Sequence, residues 1–565
     1  MRNIIVVDCL STGINYIADI VNRGYNPIVL QLKSAGGDEE SYEKELSHFY
    51  EMIDEKFDMI FEKDSYEETL EKVKKYDPEL IVAGSERGVI LTTKLSHDLG
   101  LLGNPIEDID AMTLKDKMQE KIAEAGLRYI RGKSVNSLEE AIEYYDSESF
   151  SEVVVKPVYS GGSTGVHLCS NRDEMIDAVN LILSEKNFYG QDIDTFVIQE
   201  RIKGEEYVVN TASCNGIHMV TLMWKYSKVE TNDGAMIYDT METVNELNIG
   251  EAQIVEYAYK VADALEIKYG PVHGEYMVDE NGPVLIEVNC RPSGASMPAE
   301  FLDRIAGYHE TDIFLDSYLK PKRFLERRKK KYRLNAYGAL KMFIVPKDII
   351  ARSAPINNIS PKLKSFYKSN LVDIDDTEIF YVKTHDLATS CGYIYMVHKD
   401  NAVVKSDVDF LRMVEKNSFS LVLSDKQTGS FSIDEDEIRS QLKSIVDVTD
   451  DYGTGLLITD QFLDDVDVVQ VGIDELDTIN GEFDYVIVNL NRSLIDKKDD
   501  ITSQIILDIF SDIRVGGMVF IPETTYKNLS IGRNGIESLI KSLGLRIELP
   551  PYGIDTGIIA SKENF

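Results

Sequence analysis

The chain has 565 residues, enough for about three to five domains, and 43% of them are hydrophobic, as in ordinary globular proteins. Its formal net charge of −37 excludes general binding to nucleic acids or anionic membrane surfaces, because an acidic surface repels both. The five cysteines form no CxxC pair, which predicts a protein without disulfides or a zinc site. The first stretch, MRNIIVVDCL, lacks the apolar core of a signal peptide, and no run approaches the ~18 apolar residues of a membrane span. Together these features predict a cytoplasmic protein.

Residues 1–110 predict a parallel α/β domain, because short apolar strands alternate with helices. The predicted strands are residues 4–7, 27–30, 57–61 and 80–83. In such sheets ligands lie beyond the carboxyl ends of the strands, which marks the loops 8–13 and 84–88. Ser11 and Thr12 are expected to form a turn and a helix cap, and the turn is not GxGxxG, so no dinucleotide site is inferred from it.

Residues 111–190 contain a glycine-rich turn directly after a strand. A helix is expected from residue 113 to a stop at Gly126, a second helix covers 137–145, and strand 153–157 contains Lys156. The turn Ser-Gly-Gly-Ser-Thr-Gly at 160–165 follows. Glycines let backbone N–H groups approach phosphate oxygens, and a lysine beside them neutralises the same phosphates. The spacing is not that of a Walker A loop, and a plain flexible hairpin is the alternative.

Residues 195–265 read as a strand, a short acidic hinge, further strands and a helix. The predicted strands are 196–200 and 207–211, residues 232–239 are expected to form a loop, and 250–265 an amphipathic helix. Met219, Met223 and Trp224 either line a pocket or, more commonly for such residues on a strand, belong to the core.

Residues 271–294 predict a β-hairpin that carries a cluster of oxygen ligands. Glu275 is expected at the start of its first strand, and Glu287 and Asn289, two residues apart on the second, share one face. Such an all-oxygen set suits Mg²⁺ or Mn²⁺, whereas a solvated hairpin is the alternative. His273 lies on the same face and either acts in proton transfer or simply packs at the strand end, and Arg291 lies just beyond.

The remainder of the chain carries weaker signals. The basic run 322–333 is either a solvated helix face or a site for an acidic partner, strands are expected at 340–345, 379–382 and 393–397, and a turn at 389–392. Residues 436–565 predict another α/β unit, with strands 483–490 and 518–522, a helix 501–513 and a turn 516–517. Its order resembles the second half of a class I methyltransferase fold, but no GxGxG loop follows a first strand, so SAM binding is not expected.

The motifs together resemble the ATP-grasp superfamily. Lys115 lies 11 residues before Gly126, Lys156 precedes Gly-Gly-Ser-Thr-Gly, VIQERIKGEEY follows, and HGEYMVDENGPVLIEVNCRPSG completes the order. The nearest groups are the amino-acid ligases and the large chain of carbamoyl-phosphate synthase. The resemblance covers residues 1–312 and extends weakly to 420, and it is specific for the fold rather than for a substrate.

The resemblance implies how a nucleotide would be held. Lys115 and Lys156 would bind the α and β phosphates, and Glu206 the ribose hydroxyls. The lid over the phosphates would be formed by Gly161, Gly162, Ser163 and Gly165, and the adenine would be met at the hinge by Gln199, Glu200 and Ile202.

The resemblance also implies the metal site, the domains and the chemistry. Glu275, Glu287 and Asn289 would bind two Mg²⁺ (or Mn²⁺) ions, and Arg291, with His273 as a second catalytic candidate, would act on the transferring phosphoryl group or the acyl phosphate. The implied architecture is α/β and α+β: a pre-ATP-grasp domain (1–110), an ATP-grasp domain (111–320, with a lid of 111–200 and a large part of 201–320), a cap (321–435) and a C-terminal methyltransferase-like α/β domain (436–565).

The implied function is an ATP-dependent ligase that joins a small-molecule carboxylate to an amine through an acyl phosphate, releasing ADP and phosphate. Two alternatives stay open: an enzyme like carbamoyl-phosphate synthase that phosphorylates bicarbonate or carbamate, and an ATP-binding regulatory or scaffold protein without catalysis. No nucleic-acid or membrane partner is expected, and a homodimer stays open.

Overall fold

The fold is described by a computed structural model, which divides the chain into two units. The first is Met1–Leu340 with His385–Ser390, and the second is Lys341–Thr384 with Cys391–Phe565. The structure describes residues 2–33, 50, 53–162, 164–187, 190–230, 236–346, 349–351, 360–371, 379–387, 389–421, 455–459, 469–471, 483–489, 513–521, 545–548 and 558–562. Among them, no helix combines the length and apolarity that a membrane crossing requires.

The first unit begins with a four-stranded parallel sheet. Its strands are β1 (Asn3–Val7), β2 (Asn26–Gln31), β3 (Asp58–Phe61) and β4 (Pro78–Ala83), in the order β3-β2-β1-β4. Its helices are α1 (Asn15–Asn22), α2 (Tyr66–Lys74) and α3 (Gly88–Asp98), with 3-10 turns at Ser11–Ile14 and Ile106–Asp108. The strand residues Ile4, Ile5, Val6 and Val7 are wholly buried, as both faces of a parallel sheet require, and the predicted α/β fold of this part is confirmed.

An antiparallel sheet follows, after α4 (Ile109–Thr113) and α5 (Lys115–Glu124). It contains β5 (Gly132–Val135), β6 (Val153–Pro157), β7 (His167–Cys169) and β8 (Phe196–Glu200), in the order β5-β8-β6-β7. Two helices, α6 (Leu138–Ser147) and α7 (Arg172–Ile182), pack on it, and the predicted cap Ser137 accepts a hydrogen bond from the N–H of Glu140.

The largest sheet of the first unit is also antiparallel. It runs β13-β12-β9-β10-β11, with β14 next to β11; the strands are β9 (Glu205–Cys214), β10 (Ile217–Glu230), β11 (Met236–Thr243), β12 (Tyr269–Asp279), β13 (Gly282–Asn289) and β14 (Tyr337–Met342). Its helices are α8 (Ile249–Ala264), α9 (Ala299–Ala306), α10 (Glu310–Leu319) and α11 (Pro321–Arg328). One face is apolar and packs on α8 and α5 through Met223, Tyr276, Leu285 and Val288. The opposite face carries the polar residues of the candidate site.

The second unit contains short strands, one long helix and a six-stranded sheet. Strand β15 (Ile349–Ala351) pairs with β17 (Ile379–Tyr381), and β16 (Phe366–Leu371) pairs with β18 (Gly392–His398). Helix α12 is Asn401–Leu421. The six-stranded sheet has the order β20-β19-β21-β22-β24-β23, with strands β19 (Gly455–Thr459), β20 (Val469–Val471), β21 (Phe483–Asn489), β22 (Ile513–Ile521), β23 (Leu545–Glu548) and β24 (Ile558–Lys562).

Several local predictions need correction. Glu275 lies in the middle of β12 rather than at its start, because the strand begins at Tyr269. The predicted loop 232–239 is already strand from Met236, and its first part lies outside the described residues. The predicted turn 516–517 lies within the bounds of β22, at an irregularity between Ile513 and Met518 where neither neighbouring strand pairs with the two glycines. The predicted helix 501–513 lies outside the described residues up to 512, and α12 was not predicted.

The basic run 322–333 falls largely on α11, and part of it is neutralised by acids of α10. Arg323 Nε lies 3.2 Å from Asp316 Oδ2, and Arg327 Nη1 lies 3.7 Å from Asp312 Oδ2. Phe324 on the same helix is fully buried. This arrangement favours the interpretation of the run as a helix face over that of a separate partner site.

Candidate active site

The β12–β13 hairpin brings four predicted site residues onto one face. Glu275 is the cross-strand partner of Glu287, and His273 is that of Asn289. Directly paired residues in antiparallel strands project from the same face of the sheet. A two-residue loop, with Gly282 following at a φ of +95°, closes the hairpin as the sequence predicts.

The donor set on this face fits a divalent cation. The side-chain Oδ1 of Asn289 is buried and has no hydrogen-bond partner within the described part of the chain, so it is an acceptor in need of a ligand. Burial opposes the charge on Glu275, but His273, Lys228 and Arg291 outweigh it and lower the pKa of Glu275 to about 2. Two carboxylates and an amide oxygen suit Mg²⁺ or Mn²⁺. No group of three histidine, cysteine, aspartate or glutamate side chains is placed to hold a metal in the described ranges.

Two buried lysines face these acids from neighbouring elements. Lys115, the first residue of α5, places its Nζ 2.8 Å from Glu287 Oε2 and 2.8 Å from the carbonyl oxygen of Ser160. Burial disfavours its charge, but Glu287 and Glu86 prevail and raise its pKa. Lys156 on β6 has no hydrogen-bond or ion-pair partner in the part of the chain that is described, and burial with the nearby charge of Lys115 lowers its pKa to about 8. An unpaired buried ammonium group is a strong attractor for an anion.

The glycine-rich loop lies between these lysines and a distant segment. Gly162 and Gly165 have φ values of +62° and +73°, which explains the glycines, and Gly161 precedes them; Ser163 lies outside the described residues. Thr164 Oγ1 donates to Asp386 Oδ2 at 2.7 Å, and the N–H of Leu387 donates to the carbonyl oxygen of Gly162 at 3.1 Å. Asp386 and Leu387 therefore hold the loop, through contacts that the sequence does not signal.

The predicted hinge follows β8. Gln199 is buried at its end, whereas Glu200 uses its carboxylate to bind Arg131, with 2.9 Å between Oε2 and Nη2. Ile202 is half-buried in the connection to β9. Glu206 on β9 is buried and lies 2.7 Å from Lys228 Nζ, and burial is the main cause of its raised pKa. These residues follow one another from the end of β8 to the start of β9, and their nucleotide contacts stay predictions.

Sequence reasoning missed Lys228 and Glu86. Lys228 on β10 pairs with Glu206 and lies 4.3 Å from the ring centre of Tyr238; Glu206 and Tyr238 raise its pKa against the effect of burial. The available signal was a lysine among the alternating aromatic residues of β10. Glu86, in the loop that was predicted to meet a ligand, instead lies 3.1 Å from Arg291 Nη2.

The Arg291 segment is held by the loops of the first sheet. Thr12 Oγ1 donates to the carbonyl oxygen of Gly294 at 2.9 Å, and the N–H of Ser296 donates to Ser11 Oγ at 3.0 Å. The expected capping role of these two residues is wrong, since α1 has no side-chain cap. Ser11, Ala295 and Ser296 all adopt left-handed φ values, a strained conformation that tertiary contacts maintain here.

Met219 and Met223, two of the three residues named as pocket or core, belong to the core. Met223 packs with α8, and Met219 packs with the first sheet and α10. Trp224 is fully buried, and both of its predicted roles stay predictions.

Comparison with known proteins agrees with this geometry. A family model described as an ATP-grasp domain matches residues 149–299. Dapdiamide A synthase of Enterobacter agglomerans is 27% identical over 364 residues, covering 64% of this chain and 84% of that protein. A carbamoyl phosphate synthase large chain of Clostridium beijerinckii is 25% identical over 269 residues, covering 45% of this chain but only 23% of that protein.

Solved structures place the fold in the same group. The crystal structure of an L-amino acid ligase from Bacillus licheniformis superposes with a TM-score of 0.57 at 16% identity, covering 73% of this chain and 97% of that one. At this identity the likeness concerns the fold. Residues 149–299 therefore match an ATP-grasp domain, and the chain is similar in sequence to dapdiamide A synthase and in fold to an L-amino acid ligase.

Proposed function

We propose that the chain joins a small-molecule carboxylate to an amine, forming an amide or peptide bond and releasing ADP and phosphate. The observation that carries the proposal is the convergence of Lys115 and Lys156 with Glu275, Glu287 and Asn289 on one face. Cations facing a cluster of oxygen donors are what a metal-bound polyphosphate needs. Dapdiamide A synthase and the L-amino acid ligase are named for reactions of this class, which supports the proposal.

The residues divide the work as follows. Lys115 and Lys156 neutralise the phosphates, and the glycine-rich loop donates backbone N–H groups to them. Glu275, Glu287 and Asn289 hold a divalent cation, which when bound supplies positive charge to the phosphates. A substrate carboxylate oxygen attacks the γ phosphorus, and ADP leaves with the electrons of the broken bond. The amine then attacks the acyl carbon, the carbon–oxygen bond to phosphate breaks, and the amine loses a proton.

Arg291 is proposed to stabilise the acyl phosphate. Its guanidinium is anchored by Glu86 and by the carbonyl oxygen of Pro292, at 3.0 Å from Nη1, so its direction is set before substrate binds. A charge held in advance costs no reorganisation during the reaction. Closure of the site against water is required because an acyl phosphate hydrolyses readily.

The test is ADP release from ATP and magnesium with a panel of amino acids as carboxylate and amine, and with bicarbonate as a separate arm. Glu287→Gln should lose activity on the order of a hundredfold, since a charged ligand and the partner of Lys115 are both removed. The matched control is Glu280→Gln at the exposed tip of the same hairpin, which should retain full activity. Near-normal ADP release by the Glu287 variant contradicts the assignment.

The same panel separates the other functions. ADP formed with bicarbonate alone indicates the carbamoyl-phosphate-synthase type, which only a short shared length supports. ATP binding without ADP from any substrate indicates a scaffold. We further propose that the site holds a second metal ion, that it accepts manganese, and that the protein is a homodimer. We also propose a cytoplasmic location, which the five free and buried cysteines support.

A further inference from the structure

The glycine-rich loop, residues 160–165, is held by a segment that lies far along the chain. Thr164 Oγ1 donates to Asp386 Oδ2 at 2.7 Å, across 222 positions, and the N–H of Leu387 donates to the carbonyl oxygen of Gly162 at 3.1 Å. The segment His385–Ser390 belongs to the first unit, although the chain on both sides of it belongs to the second. The fold therefore brings a short segment of the chain to the loop that the proposed reaction needs.

Asp386 presents its carboxylate to the loop in a fixed direction. Its Oδ1 accepts a hydrogen bond from the N–H of Thr389 at 3.0 Å. In return, Thr389 Oγ1 accepts from the N–H groups of His385 and Asp386, at 2.8 and 3.1 Å. These bonds close a turn on one carboxylate oxygen and leave the other, Oδ2, for Thr164. The acceptor of the Thr164 hydroxyl is thus oriented by its own segment and not by the loop.

The tip of the loop depends on these outside contacts for its position. Gly162 and Gly165 adopt positive φ values, and glycine loses more conformational freedom than other residues when it is ordered. At the start of the loop, the carbonyl oxygen of Ser160 accepts from Lys115 Nζ at 2.8 Å, whereas the tip is held by the two hydrogen bonds from the distant segment. Backbone N–H groups stabilise an anion best when they are held in place before it arrives.

The charge of Asp386 decides how it can act on a nucleotide. A carboxylate repels a phosphate, so it does not bind one directly. The hydroxyl of Thr164 donates its single proton to this carboxylate and thereby fixes the backbone to which it is attached. Asp386 therefore acts on a nucleotide only through the loop.

We propose that Asp386 is a positioning residue of the nucleotide site: through Thr164 it holds the glycine-rich loop in the arrangement in which backbone N–H groups of the loop meet the phosphates of ATP. The inference rests on the proposed ligase function, which assigns the phosphates to this loop. Asp386 touches neither the nucleotide nor a substrate in this scheme. It adds to the site a residue that lies outside the matched ATP-grasp domain, residues 149–299.

The decisive pair of variants is Asp386→Ala and Asp386→Asn. Asparagine keeps Oδ1 as the acceptor of the Thr389 N–H, and its Nδ2 donates to the Thr164 hydroxyl, which can also accept, whereas alanine does neither. Isothermal titration with ADP and magnesium measures the effect. We expect Asp386→Ala to weaken binding about tenfold, as for other outer residues that orient a ligand, and Asp386→Asn to stay within about twofold of the parent protein. Equal binding by Asp386→Ala and the parent protein overturns the proposal.

A double-mutant cycle tests whether Asp386 acts through Thr164. Thr164→Val removes the hydroxyl and should weaken ADP binding as much as Asp386→Ala does. The double variant should bind ADP no more weakly than either single variant, because the same hydrogen bond is lost only once. Losses that multiply to about a hundredfold show that the two residues act separately, which overturns the proposal.

Asp98→Ala is the matched control. Asp98 is the last residue of α3, and its Oδ2 accepts from the hydroxyl of Tyr66 at 2.7 Å, the same distance as between Thr164 and Asp386. Its loss removes a hydrogen bond from a hydroxyl to a carboxylate that has no part in holding the glycine-rich loop. The affinity for ADP should not change. An equal fall in this control shows that the loss of any such bond weakens binding, which overturns the proposal.

Hydrogen exchange gives a readout that is independent of binding and turnover. In the nucleotide-free protein, the backbone N–H groups of Gly162, Thr164 and Gly165 should exchange faster in Asp386→Ala than in the parent protein, and at the parent rate in Asp386→Asn. Unchanged exchange in Asp386→Ala overturns the inference. If exchange and ADP binding respond as expected but the parent protein releases no ADP from ATP with any substrate, the result counts against the ligase function instead.

Discussion

The charge of Lys156 predicts a specific pH dependence of nucleotide binding. Its ammonium group is buried, close to Lys115, and these two causes lower its pKa from 10.5 to about 8. The charges of Glu287 and Glu275 raise the pKa of Lys156, and the charge of Lys228 lowers it further. A phosphate binds the protonated form of Lys156. The affinity for ADP should therefore be highest below about pH 8 and fall as the pH rises above it.

The magnitude follows from the titration. At about pH 9 roughly a tenth of the free protein carries the ammonium, so affinity should fall about tenfold per pH unit, or about 1.4 kcal/mol. The shift of about 2.5 units corresponds to about 3 kcal/mol that a bound phosphate recovers by restoring the charge. The nucleotide's own phosphates are already ionised in this range and contribute little.

Isothermal titration of ADP and magnesium between about pH 7 and 9.5 measures the effect, and buffers of different ionisation enthalpy count the protons taken up. In Lys156→Arg the guanidinium stays charged, so its affinity should be flat over the same range. Constant affinity in the parent protein refutes the reasoning. The same fall in the arginine variant also refutes it, because another group is then titrating.

Three further predictions concern stability. Arg128→Met removes two hydrogen bonds to Asp279, at 2.7 and 2.6 Å, and should cost about 1–2 kcal/mol in urea unfolding; a loss below about 0.5 kcal/mol contradicts it. Gly13→Ala places a Cβ 2.2 Å from the backbone oxygen of Gly84 and should cost at least about 2 kcal/mol, seen as a lower thermal midpoint; an unchanged midpoint contradicts it. Burial lowers the pKa of His309, but two aspartates outweigh it and raise the pKa from 6.5 to about 9. About 3 kcal/mol of stability is therefore present in full below pH 6.5 and lost as the pH rises through about 9. His309→Gln should abolish this alkaline loss of stability, and an equal loss in the variant contradicts the role of the ion pairs between His309 and the aspartates.

Much of the local structure was predictable because it depends on neighbours in the chain. Strand β6 has the predicted bounds, Val153–Pro157, and Gly126 ends its helix in the left-handed conformation. The errors arise where distant pairing overrides local preference. Two consecutive glycines suggest a turn at 516–517, yet they lie at an irregularity within β22, because Ile513 before them and Met518 after them both pair with β21.

The candidate site divides in the same way. The residue types of the metal and phosphate positions were evident from Glu275, Glu287 and Lys156, because short motifs place them at fixed spacing on a hairpin and beside a glycine turn. Their predicted roles stay predictions, but the fold does bring them to one face.

By itself the sequence determined which backbone segments form strands and which side chains have the chemistry to meet ATP, since periodicity and turn residues act over a few positions. Only the tertiary structure decided how those side chains are oriented. Glu86 reaches Arg291 across 205 positions, and Asn210 reaches Glu310 across 100. Such partners are selected by the packing of whole elements, which no local pattern encodes, and they set the directions of a guanidinium and of an amide side chain.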